Sequence, residues 1–133
     1  QLVYSFTPMA VIIKTSNPHK LLEKIYKAVD EKNADKWTCD KSGRFTYSTF
    51  QWRSEAWLKP EIWIDESELR LGIRKRKGRK YLTSKLYNFY HSKFVETMLT
   101  HFVQDFSSIT VTAQKTAPDE FENPKMNTVT LID

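Results

Sequence analysis

The residues best suited to chemistry in this chain fall in one run. Between Arg70 and Lys80 stand Arg70, Arg74, Lys75, Arg76, Lys77, Arg79 and Lys80, seven cations in eleven residues. Guanidinium forks pair with phosphates, and each phosphate neutralised releases counterions, so such a run suits nucleic acid bound without regard to its sequence. On a strand, Arg70, Arg74 and Arg76 share one face, and a Lys77-Gly78 bend projects the remaining cations at the sheet end. Trp63 and Tyr81 flank the run and add stacking surface. The candidate binding set is therefore Trp63, Arg70, Arg74, Arg76, Lys77, Arg79, Lys80 and Tyr81. The same composition also suits a solvated loop, a guard on a sheet edge, or a docking point for an acidic protein, this chain's own tail included.

Other reactive side chains are scattered. His91 and His101 stand ten residues apart on one predicted helix, about 15 Å along its axis, too far to share a metal. His19 opens a different helix, and no HxxxH or CxxC spacing occurs. His91, near Tyr87, Tyr90 and Glu96, has the neighbours for acid-base work, but its place at the border of an apolar stripe equally suits a structural imidazole. Cys39 alternates in phase with Trp37, on the face expected to be buried, where a thiol is inert. Trp37 and Trp57 are expected in the core; Trp52 and Trp63, beside polar residues, are divided between core and an exposed aromatic platform. No catalytic residue, metal or cofactor is expected.

The totals narrow the classes. The chain has 133 residues, enough for one domain with its own core, and carries a net charge of +5. A single cysteine forms no internal bridge, and three glycines are too few for a phosphate-binding loop. No run of about 18 apolar residues occurs and no signal-peptide layout is present, so a cytoplasmic protein with no membrane segment is expected. Charge is uneven: the tail from Lys115 to Asp133 is acidic through Asp119, Glu120, Glu122 and Asp133, leaving the body more basic than the total.

These side chains must be held by elements legible from period and punctuation. Residues 1–8 read as an extension ahead of Met9, residues 9–114 as one domain, and residues 115–133 as a polar acidic tail with a terminal strand at 128–132 able to join a sheet edge. Ala10 to Thr15 reads as a mid-sheet strand covered on both faces. Asn17-Pro18 starts an amphipathic helix that ends near Asn33. Two hairpins follow, turning at 41–43 and 65–67. A long helix spans Thr83 to Phe106, and Ser108 to Gln114 forms a last core strand. The order predicts an α+β fold, a mostly antiparallel sheet with two helices packed on one face; a ferredoxin-like sandwich with an inserted hairpin fits it.

Several short stretches, IIKTSNP followed by LL, WTCD and GRFT, QW with AWLKP, and YHSKF in the long helix, resemble a small family of uncharacterised bacterial proteins. The resemblance runs from Met9 to about Ala113 and implies a bacterial, cytoplasmic origin with a start at Met9; it carries no activity and no site residues. The residues thus favour a non-enzymatic protein contacting nucleic acid or an acidic partner through residues 70–80. The alternatives are an interaction module of bacterial competition or defence, assembling as a homo-oligomer through its aromatic surface and tail strand, and a hydrolase using His91.

Overall fold

The computed structural model describes residues 10–78 and 82–112. Their core is a six-stranded antiparallel sheet carrying two helices on one face, an α+β fold. In chain order the elements are β1 (Val11–Lys14), α1 (Pro18–Asp30), β2 (Trp37–Cys39), β3 (Phe45–Tyr47), β4 (Ala56–Trp63), β5 (Glu68–Lys75), α2 (Ser84–His101) and β6 (Ser108–Val111). The strands lie side by side as β2-β3-β4-β5-β1-β6, so β1 is interior and β2 and β6 are edges.

Local chemistry explains the boundaries. Asn17 Oδ1 accepts from the Lys20 amide at 3.1 Å and Pro18 occupies the first turn of α1. Thr83 caps α2 in the same way through the Leu86 amide. That helix closes at His101, shorter than its apolar spacing predicts; the chain turns at Phe102, and Thr15 Oγ1 donates to the Asp105 carbonyl beyond it. The turn at Gly43 needs a left-handed backbone, φ +82°, and a side chain there would meet Tyr26 Oη at 2.6 Å. Pro60 sits inside β4, where a missing amide would break a ladder on both sides; β3 pairs with β4 only at Phe45 and Leu58, so β4 is already an edge when it reaches the proline.

Register separates the two sheet faces. Val11 opposite Leu71, Ile13 opposite Leu69 and Leu58 opposite Ile73 point one way and are fully buried, each contributing about 1.5–3 kcal/mol relative to exposure. Both helices cover this inner face: Tyr26 of α1 stacks on Phe45 at 5.3 Å, and Phe94 of α2 lies 5.4 Å from Trp37. The opposite face carries no helix among the described residues. Among the described residues β1 is mid-sheet with helices over one side only and Ile12 is half-buried, and β6 is a largely exposed edge rather than a core strand.

Candidate polyanion-binding surface

Strand alternation decides what the open face displays. β4 presents Trp57, Lys59, Glu61 and Trp63, and β5 sets Arg74, Gly72, Arg70 and Glu68 opposite them in that order. β1 adds Ile12 and Lys14 beside Arg70 and Glu68. The two ends of this face differ in their electrostatics.

At the Trp63 end the charges are matched. Glu68 is buried, and its carboxylate accepts from Arg70 Nε at 2.8 Å and pairs with Lys14 Nζ at 3.0 Å. Burial alone would raise its carboxyl pKa, but the hydrogen bonds from Arg70 and Lys14 outweigh it and hold the group below its ordinary value. The Arg70 guanidinium carbon lies over Trp63, 3.6 Å from the ring centre, while Trp63 Nε1 donates to Glu61 Oε1 at 2.9 Å. Arg70 is therefore a fixed, largely buried side chain rather than a loose cation.

The Trp57 end keeps its positive charge. Asp40 accepts from the amides of Ser42 and Arg44, each at 2.9 Å, and from Arg44 Nε at 2.9 Å, which locks the turn and the guanidinium together. These bonds overcome the burial of Asp40 and lower its pKa. Arg44 is thereby held 5.0 Å from the centre of the Trp57 ring, and Arg74 stands directly across from Trp57 on β5. Arg74, Lys59 and Lys77 enter no ion pair among the described residues. Gly72, between Arg70 and Arg74 and opposite Lys59, is buried.

Of the residues singled out from sequence, Arg70, Arg74 and Trp63 share the open face. Arg76 lies beyond the end of β5 and bonds Glu55 at 3.1 Å, so it does not continue the row; Lys77 is exposed in the following turn. Arg79, Lys80 and Tyr81 lie outside the described residues, as do residues 1–8 and the acidic tail 115–133 with its expected strand at 128–132. Arg44, Trp57 and Lys59 were missed. Trp57 is on the open face, not in the core, and the signal was present: Trp57, Lys59, Glu61 and Trp63 alternate in one phase, opposite to Ala56 and Leu58.

The remaining reactive groups are structural. His91 is buried, stacked on Tyr87 at 4.1 Å, with Nδ1 2.8 Å from the Tyr87 carbonyl. It borders a groove of about 620 Å³ whose other lining residues, among them Val95, Val111 and Thr112, include no carboxylate among the described residues. Glu96 turns instead to Lys93 at 2.9 Å. Cys39 is half-buried and its thiol is pushed up to about 11, first by burial and then by Asp40 and Asp30, which leaves it protonated and unreactive. His101 meets Asp35 at 3.3 Å, and the same carboxylate accepts from Thr97 Oγ1 at 2.7 Å, which in turn accepts from Trp37 Nε1 at 2.9 Å. Here a carboxylate, not an imidazole, occupies the middle of the chain, so no hydroxyl is activated as a nucleophile. Tyr90 is a second such tie, its hydroxyl meeting Thr46 Oγ1, the Tyr47 amide and the Trp52 carbonyl.

Among the described residues no three His, Cys, Asp or Glu side chains converge as a metal site, and no helix is long and apolar enough to cross a membrane. Comparison with protein families, with curated proteins and with solved structures found no match.

Proposed function

We propose that this chain is a non-enzymatic binding protein that holds a phosphate-bearing polyanion on the open face of its sheet. The observation that carries this reading is the Trp57 end of the face, where Arg74, Lys59 and Lys77 have no carboxylate partner among the described residues and Arg44 is fixed over Trp57. The contact surface shifts accordingly, from a projecting hairpin to the strands β4 and β5, with Lys77 in the following turn at its rim. Recognition is electrostatic: the cations of this face draw the ligand in, and arginine forks grip phosphates. The reading carries with it a cytoplasmic location, where nucleic acid is the abundant polyanion. Fluorescence anisotropy with a labelled oligonucleotide tests it: Arg74→Ala with Lys59→Ala should weaken binding at least about ten-fold without lowering the melting temperature. Unchanged binding in that double variant would remove the proposal.

One observation favours a second reading, assembly of two copies through β6. That edge strand, SITV, carries no lysine, proline or other edge guard, and its Val111 is 45% exposed. Edge-to-edge pairing gives a dimer that persists at high salt, whereas polyanion binding is lost there. Sedimentation in 1 M salt, about seven times physiological strength, separates the two.

A further inference from the structure

We infer that the cations at the Trp57 end have a partner in this same chain: the acidic stretch Asp119-Glu120-Phe121-Glu122 folds back across the sheet, pairs with Lys59, Arg74 and Lys77, and competes there with any polyanion. The competition rests on the polyanion reading; the contact itself does not. Strand direction sends the chain the right way. β5 and β6 are both antiparallel to β1 and so run parallel to each other, with Val111 level with Leu71 and Ser108 level with Glu68. Beyond Val111 the chain therefore heads toward Arg74, away from the end where Glu68 already matches Lys14 and Arg70.

The acids are also within reach. Thr112 donates its amide to the Ala10 carbonyl, level with Gly72 and Lys59. With strands about 4.8 Å apart and residues about 3.3 Å apart, Thr112 lies roughly 12 Å from Arg74 and roughly 14 Å from Lys59. Asp119 follows seven residues later and Glu122 ten, up to about 23 Å and 33 Å of chain. Because α1 and α2 cover the inner face, a segment returning from the β6 edge meets the open one. Lys59 and Lys77 are exposed and Arg74 is half-buried, and none of them enters an ion pair among the described residues. The contact needs neither the buried Gly72 nor the fixed Arg70. Each exposed ion pair is weak, but a tether presents all three acids at roughly millimolar effective concentration, which favours the closed face at low salt.

The contact is tested on the full-length wild type with a water-soluble carbodiimide, which joins a lysine amine to a carboxylate touching it, followed by peptide mass spectrometry of the monomer band. Lys59 or Lys77 should be linked to residues 119–122 at low salt, and the link should fade at about 1 M salt. No such link, or links on a dimer band alone, overturns the inference. The competition is tested by anisotropy with a labelled oligonucleotide, comparing the wild type, Asp119→Asn/Glu120→Gln/Glu122→Gln, and a control that gains the same net charge at exposed acids of α1 and its cap, Glu23→Gln/Asp30→Asn/Glu31→Gln. The tail variant should bind at least about five-fold more tightly than the control at about 50 mM salt, and the gap should close as salt rises. Equal affinity of the two variants overturns the inference and leaves the polyanion reading standing. No binding by any of the three proteins at low salt removes the polyanion reading, while the cross-link alone decides the contact.

Discussion

Removal of one cation from the open face should change how binding depends on salt, by an amount set by which cations are already paired. Lys59, Arg74 and Lys77 have no carboxylate partner among the described residues, whereas Lys14 and Arg70 share Glu68, Arg44 is held by Asp40 and Arg76 by Glu55. Each phosphate neutralised on a single strand contributes about −0.7 to the slope of log K against log salt. Three such contacts make a slope near −2, so affinity should fall about 20-fold between 50 and 200 mM salt. Engagement of Arg79 and Lys80 would steepen it by about 0.7 each. Arg74→Ala should flatten the slope by about 0.7, and Lys14→Ala or Arg76→Ala by much less, because their charges are offset before the ligand arrives. An anisotropy titration at five salt concentrations for wild type and these three variants reads the slopes directly. A slope unchanged in Arg74→Ala, or flattened equally in Lys14→Ala, refutes the division of the face into a matched and an unmatched end.

Other expectations concern the scaffold. Thr97→Val should cost about 2 kcal/mol by leaving the Trp37 indole N–H and the Asp35 carboxylate without their shared hydroxyl, read by urea unfolding at neutral pH. The Thr97 hydrogen bond is the main cause that lowers the Asp35 pKa, so its stabilisation is full above the ordinary carboxylate range and fades as pH falls through the lower folded value; the cost of the variant should shrink in acid, and a constant cost would sink the assignment. Cys39 should react with a disulfide reagent near pH 7 about 100-fold more slowly than a thiol of ordinary pKa, and a rate matching free cysteine would contradict its buried, carboxylate-flanked setting. Gly43→Ala should destabilise by more than about 1 kcal/mol, since both the backbone and Tyr26 oppose a side chain, and a larger loss than in Tyr26→Phe is expected by thermal melting.

Elements with one dominant local signal were legible before the structure. The Asn17-Pro18 start, the Thr83 cap and both hairpin turns follow from side chains that act on their own neighbours. The errors arose where distant residues decide. Trp57 reads as core by size, although it alternates in phase with Lys59 and Glu61; which phase faces the helices is fixed by Leu58 pairing with Phe45 and Ile73. Arg70 reads as a ligand cation until β1 brings Lys14 and the strand itself brings Glu68 to the same point. Arg44 was passed over because its role depends on Asp40 closing a turn around it and on Trp57 arriving from another strand. Charge density in a sequence locates cations but does not say which of them folding has already matched.

The interior position of β1 sets a timetable for the chain as it is made. Lys14 meets Glu66, 52 residues later, and Ala10 meets Thr112, 102 residues later, so the first strand has neither neighbour when it emerges from the ribosome. At about 5–20 residues per second it waits several seconds for β5 and longer for β6. Meanwhile β2, β3 and β4 close through near-neighbour turns, which makes that meander the natural nucleus. β1, with its VII run exposed until β5 arrives, is the segment most open to capture by chaperones or by other nascent chains, and synthesis slowed before residue 68 should raise aggregation more than the same delay after it.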